Sequence, residues 1–239
     1  ITVDRVIDGD SLEVTLDDGT PEEIRLQGIN APELNALGGG RTCAGEAARD
    51  ELVAILAGGA VTLSGTEVDR FGRLLADLHV EGRPVDIALV DAGWALALWS
   101  ADDGELTATM LAAADAGRGW WGAGCGPPSA SGLRIGPTQA NAPGDDRDNL
   151  DQEWIELVNE GPTAVDLGGW VLRDDTTSNR FSLPSVTVEP GRSLRVVTGI
   201  GPDGDDVLHL DEEFPIWSNG GDTVLLIDPE GVVAAYAFI

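Results

Sequence analysis

Lysine is missing altogether: all 14 basic residues are arginine, set against 42 aspartates and glutamates, and the formal charge is −28. That shortage removes the basic footprint by which a nucleic-acid binder is usually recognised. Nowhere does the sequence approach the roughly 20 consecutive apolar residues needed to span a bilayer, which excludes a helical membrane span within it. Only two histidines occur, His79 and His209, in strand-like segments with no partner at ligand spacing. Neither a zinc site nor a histidine base fits them, and they read as structural. No Ser–His–Asp arrangement, phosphate-cradling glycine loop or zinc-type cysteine pattern is present.

The acid that is present is spread evenly. Residues 1–126 hold eight arginines against 22 acids and the remainder six against 20, so each half carries −14. A disordered acidic segment is excluded by the 42% hydrophobic content and its strand-like periodicity. Such a chain suits very concentrated salt, where the screening length falls to about 3 Å and self-repulsion is tolerable, so the expected source is an extreme halophile. In that medium the argument against nucleic acid loses its force, and a few placed arginines can still hold a phosphate. The first residue is Ile1, so a processed or trimmed chain is expected.

Cys43 and Cys125 each stand beside glycine-rich sequence. Two readings are open, a pair of unrelated buried thiols or a bridge. A bridge would close a loop of about 80 residues, nominally worth about 4 kcal/mol, and an extracellular setting favours it.

The length accommodates two domains. "ITVDRVIDGDSLEVTLDDGTPEEIRLQGI" alternates as three strands turning at "DGD" and "DDGTPEE". "CAGEAARDELVAILAGG" has helical spacing with a glycine stop, residues 60–82 read as two more strands, and two further helices follow. Five strands interrupted by one helix suggest a small barrel with helical packing, over residues 1–125. "GPPSAS", residues 126–131, is the expected linker. Residues 132–239 show short strands at regular spacing without helical period, which predicts an antiparallel immunoglobulin-like β-sandwich.

Four stretches of the first half hold the notable polar groups: "IDGDS" (Asp8, Asp10), "IRLQGINAPE" (Arg25, Asn30, Glu33), "DRFGR" (Asp69, Arg70, Arg73) and "GWALALW" (Trp94, Trp99). Each alone has a bland reading as a turn, a surface arginine or a solvated loop. In this order, with a helix opening "GEA" and a "V-x-x-A-L-V-x-x-G-x-A" run, they resemble the thermonuclease family, the staphylococcal-nuclease-like phosphodiesterases, over about residues 1–122. The resemblance implies a five-stranded OB-fold barrel with three helices and Ca²⁺-dependent endonuclease hydrolysis of DNA and/or RNA. It implies that Asp10, Asn30 and the backbone carbonyl of Ala31 hold the metal, with Asp8 behind them. Glu33 would activate the attacking water, Arg25 and Arg73 would grip the phosphate, and Arg70 and Trp99 would line the nucleotide cleft.

Three positions depart from the family pattern: Asn30 stands for an Asp, Ala31 for a Thr, and Phe71 for a Tyr able to donate to phosphate. Losing one carboxylate weakens a Ca²⁺ site. The alternative is a non-catalytic nucleic-acid- or surface-binding protein that keeps the nuclease fold. Residues 132–239 resemble the lamin-tail domain through "EWIELVNEGPTAVDLGGWVLRD", "VEPGRSLRVVTG" and "WSNGGDTVLLIDPEG". That resemblance implies an immunoglobulin-like binding module of the kind appended to secreted or surface hydrolases. An extracellular or cell-surface protein is therefore expected, with Trp154, Trp170 and Trp217 serving core or sheet-edge packing.

Overall fold

Alternation in the first thirty residues builds the first sheet. The computed structural model describes residues 1–37, 39–99, 104–127 and 129–239, so Pro128 of the expected linker lies outside the described residues. The chain divides into two compact units, Ile1–Gly126 and Pro127–Ile239.

In the first unit, β1 (Thr2–Val6), β2 (Ser11–Thr15) and β3 (Pro21–Leu26) form an antiparallel meander. Leu12, Val14, Ile24 and Leu26 point inward at alternate positions and are buried. The short β4 (Ile29–Asn30) follows, then α1 (Cys43–Leu56), capped by the Thr42 hydroxyl, which accepts from the Gly45 N–H at 3.0 Å. Next come β5 (Val61–Val68), β6 (Leu74–Val80), β7 (Arg83–Pro84), α2 (Val85–Asp91), β8 (Leu96–Ala97) and α3 (Glu105–Asp115). The sheet runs β1-β2-β3-β6-β5, with β3 and β6 parallel. Five long strands and three helices thus match the pattern read from sequence. Among the described residues, however, no ladder joins the outer strands β1 and β5, so the expected barrel is not closed by hydrogen-bonded strands. At that seam the Ile1 ammonium, just before β1, donates to the Val61 carbonyl of β5 at 3.5 Å.

The second unit contains β9 (Leu133–Gln139), β10 (Trp154–Asn159), β11 (Val165–Asp166), β12 (Val171–Arg173) and β13 (Arg180–Ser182). It continues with β14 (Thr187–Val188), β15 (Ser193–Val197), β16 (Val207–His209), β17 (Thr223–Ile227) and β18 (Val233–Phe238). Two four-stranded sheets, β16-β15-β10-β9 and β13-β12-β17-β18, enclose one apolar core. Ile155 and Leu157 of β10 and Leu194 and Val196 of β15 meet Leu172, Val224 and Leu226 there. This is the expected sandwich, except that β15 and β16 pair in parallel rather than antiparallel. Trp170 and Trp217 are buried in the core, whereas Trp154 is half-buried under the Arg195 guanidinium, 4.1 Å from its ring centre.

Candidate active site

Two glycines bring the polar loops of the first unit together. A Cβ on Gly9 would come within 2.6 Å of the Cβ atoms of both Ala31 and Ala48, so the "DGD" turn lies directly on the Ala31 segment and on α1. A Cβ on Gly45 would meet the Glu33 carbonyl oxygen at 2.3 Å, so the first turn of α1 lies against the backbone that carries Glu33. Neither approach is open to a larger residue. The Thr42 hydroxyl fastens the same joint by donating to the Glu33 carbonyl.

Asp10 and Asn30, 6% and 2% exposed, sit within this joint. One nitrogen of Arg25, Nη2, lies 3.2 Å from Asp10 Oδ2 and donates to Asn30 Oδ1 at 3.3 Å. Asp10 also accepts from the Ala31 N–H at 2.6 Å and from the Ser11 hydroxyl at 3.0 Å. Asp8 accepts from the Asp10 N–H at 3.1 Å, which fixes the turn from behind. Burial pushes the Asp10 carboxyl up to about 6; Arg25 pulls against this, and the nearby Asp8 charge adds to it.

Arg73 enters from the start of the strand beside β3. Its Nη1 lies 3.4 Å from Ser11 Oγ, so both arginines touch the Asp10–Ser11 pair. Asp69 aims it: one carboxylate oxygen accepts from Arg73 Nε at 2.8 Å, and the other accepts from the N–H groups of Phe71 and Arg73. Burial alone would raise the Asp69 carboxyl, but these donors outweigh it and hold it below the usual range.

A cleft of about 870 Å³ opens beside these groups. Arg25, Asp69 and Arg73 line one part of it, and Asp77, His79 and Asp86 another. His79, which reads as merely structural in the sequence, is therefore a wall residue. Its neighbour Asp86 has a raised carboxyl, chiefly through burial, with Asp77 adding to the rise. Leu98 lines the cleft, and the half-buried Trp99 follows it in the chain. Arg70 is exposed on the turn between β5 and β6. Cys43 and Cys125 are bonded, with Cα atoms 5.7 Å apart. The sequence reading missed Ser11, which links Arg73 to Asp10. Its place opposite Arg25 in the β2–β3 register was the available signal.

The second unit holds a carboxylate cluster that the sequence did not announce. Oxygens of Asp174, Asp175 and Asp222 all lie within 4.8 Å of one another, and all three residues are buried. Burial pushes Asp222 up to about 7, with Asp175 and Asp174 adding to the rise against the Ser218 and Thr223 N–H groups. Asp174 is likewise raised by burial, although Thr176 and Asn179 donate to it.

A family model described as staphylococcal nuclease homologue matches residues 23–122. One described as lamin tail domain matches residues 127–238. No curated protein matches the chain. Asp8 and Asp10 precede the first matched segment, so their place beside Arg25 and Asn30 rests on the geometry above. The chain thus carries a staphylococcal nuclease homologue domain followed by a lamin tail domain.

Proposed function

We propose that the first unit is a secreted, salt-adapted, metal-dependent endonuclease that hydrolyses phosphodiester bonds of DNA or RNA, and that the second is its binding module. The observation that carries this reading is the meeting of Asp10, Asn30, Arg25 and Arg73 around Ser11 at the edge of one cleft. The disulfide agrees with an oxidising, extracellular location.

The residues fit a divalent cation. Asp10 Oδ2 and Asn30 Oδ1 converge on a single positively charged nitrogen, and both are hard oxygen donors of the kind Ca²⁺ takes. Asp10, Asn30 and the Ala31 carbonyl would hold the ion, with Asp8 steadying the turn. The ion supplies positive charge against the phosphate oxygens. The chain's own groups do the rest. Arg25 and Arg73 grip the phosphate with planar donors and offset the charge that develops on it. Asp69 fixes the approach of Arg73, so little orientation has to be gained on binding. Glu33 takes the proton of the attacking water as the new P–O bond forms and the leaving oxygen departs. Arg70 and Trp99 border the path of the strand.

The test is incubation of the full chain with end-labelled single-stranded DNA in molar salt, with Ca²⁺ or with chelator. Fragments only with Ca²⁺ support the proposal. An intact strand under every divalent ion tried, still bound to the protein, favours the non-catalytic binding protein instead.

A further inference from the structure

Phe71 is 70% exposed, more than any other large apolar side chain among the described residues. The backbone that carries it is firmly held. Its N–H donates to Asp69 Oδ1 at 2.8 Å, and the turn closes through the Asp69 N–H to the Arg73 carbonyl at 2.9 Å. Gly72, at φ +89°, takes the left-handed conformation that completes the turn. Two cations face the ring: the Arg70 guanidinium carbon is 4.7 Å from its centre and that of Arg73 is 5.5 Å away. A solvent-facing aromatic ring on a braced turn, close to two guanidinium groups and next to the cleft-lining Asp69 and Arg73, is an arrangement that can stack a nucleobase and neutralise its phosphates.

We infer that Phe71 is a stacking platform for an unpaired nucleobase, next to the phosphate that Arg73 grips. This rests on the nuclease reading above and names its substrate class as single-stranded nucleic acid. Three observations favour a base as the occupant. Arg70 and Arg73, both close to the ring, supply charge complementary to a phosphate backbone. The chain as a whole carries −28, so long-range attraction cannot recruit the polyanion, whereas stacking needs no net charge and persists in salt. In a duplex the bases are already stacked on one another, so only an unpaired strand offers a free face. The departure from tyrosine at this position then exchanges a phosphate donor for a purely apolar stacking face.

The experiment compares the full-length protein with Phe71→Ala and Phe71→Trp. Binding of a short single-stranded oligonucleotide, and of an abasic strand with the same backbone, is read by fluorescence anisotropy in molar salt with chelator. Phe71→Ala should bind the base-bearing strand about five- to a hundred-fold more weakly, and Phe71→Trp should bind it at least as well as wild type. All three should bind the abasic strand alike. Equal binding of the base-bearing strand by wild type and Phe71→Ala would overturn the inference, and so would an equal loss on both strands. Because binding is read without cleavage, an inactive wild type that still discriminates through Phe71 would sink the nuclease reading and leave the platform standing.

Discussion

Arg25 donates from Nη2 to Asn30 Oδ1 at 3.3 Å while the same nitrogen lies 3.2 Å from Asp10. The amide at position 30 has a physical reason in this geometry. A second buried carboxylate would set two anions against one guanidinium, whereas the amide accepts the hydrogen bond and adds no charge. Asn30→Asp should therefore bind Ca²⁺ more tightly, by about tenfold or more, as a charged ligand is added. Without metal it should unfold at lower temperature. Calorimetric titration and thermal unfolding in chelator read the two effects; unchanged affinity would mean that position 30 is not a ligand.

Gly45→Ala tests how the helix places Glu33. The added methyl would meet the Glu33 carbonyl oxygen at 2.3 Å, so that segment must move. The expected result is about 1–3 kcal/mol of lost stability and at least a tenfold fall in cleavage rate with strand binding retained. A variant that is destabilised but cleaves at the wild-type rate would show that the position of Glu33 does not matter.

The Cys43–Cys125 bridge links residues 82 apart. Replacing both cysteines by serine should cost the first unit about 4 kcal/mol by the chain-entropy account. The sandwich contains neither cysteine and should unfold as before. Hydrogen exchange resolved by segment separates the two units.

Asp222 makes the second unit sensitive to pH. The unfolded chain binds this proton near the ordinary value of 3.8, and the folded chain near 7. The folded state is thus favoured in acid: the contribution is full below about pH 4, declines as pH rises to 7, and is gone above it. The span amounts to about 4 kcal/mol. In chelator, protection of β12 and β17 amides should fall between about pH 4 and 7 in wild type, and Asp222→Asn should flatten that fall.

Much of this architecture was legible because alternation survives in both units. Leu12, Val14, Ile24 and Leu26 mark an inward face directly, and Ile155 and Leu157 do the same for the sandwich. The open seam between β1 and β5 and the parallel β15–β16 pair were not legible, since periodicity reports which face is buried and not which edges meet. At the site, Asp10, Arg25, Asn30 and Arg73 could be named from motif order, but their meeting depends on Gly9 and Ser11, whose role is contact rather than chemistry. The Asp174–Asp175–Asp222 cluster joins β17 to the loop after β12, a long-range pairing that no local pattern carries.

The central claim is that the cluster around Asp10 and Asn30 hydrolyses phosphodiester bonds. Its most direct test is the initial rate at which wild type, Glu33→Gln and Arg73→Ala cut the same single-stranded DNA under saturating Ca²⁺ in molar salt. The account predicts that wild type fragments the strand and that each variant is slower by about a hundredfold or more. Equal rates in all three, or no cleavage by wild type, would contradict it.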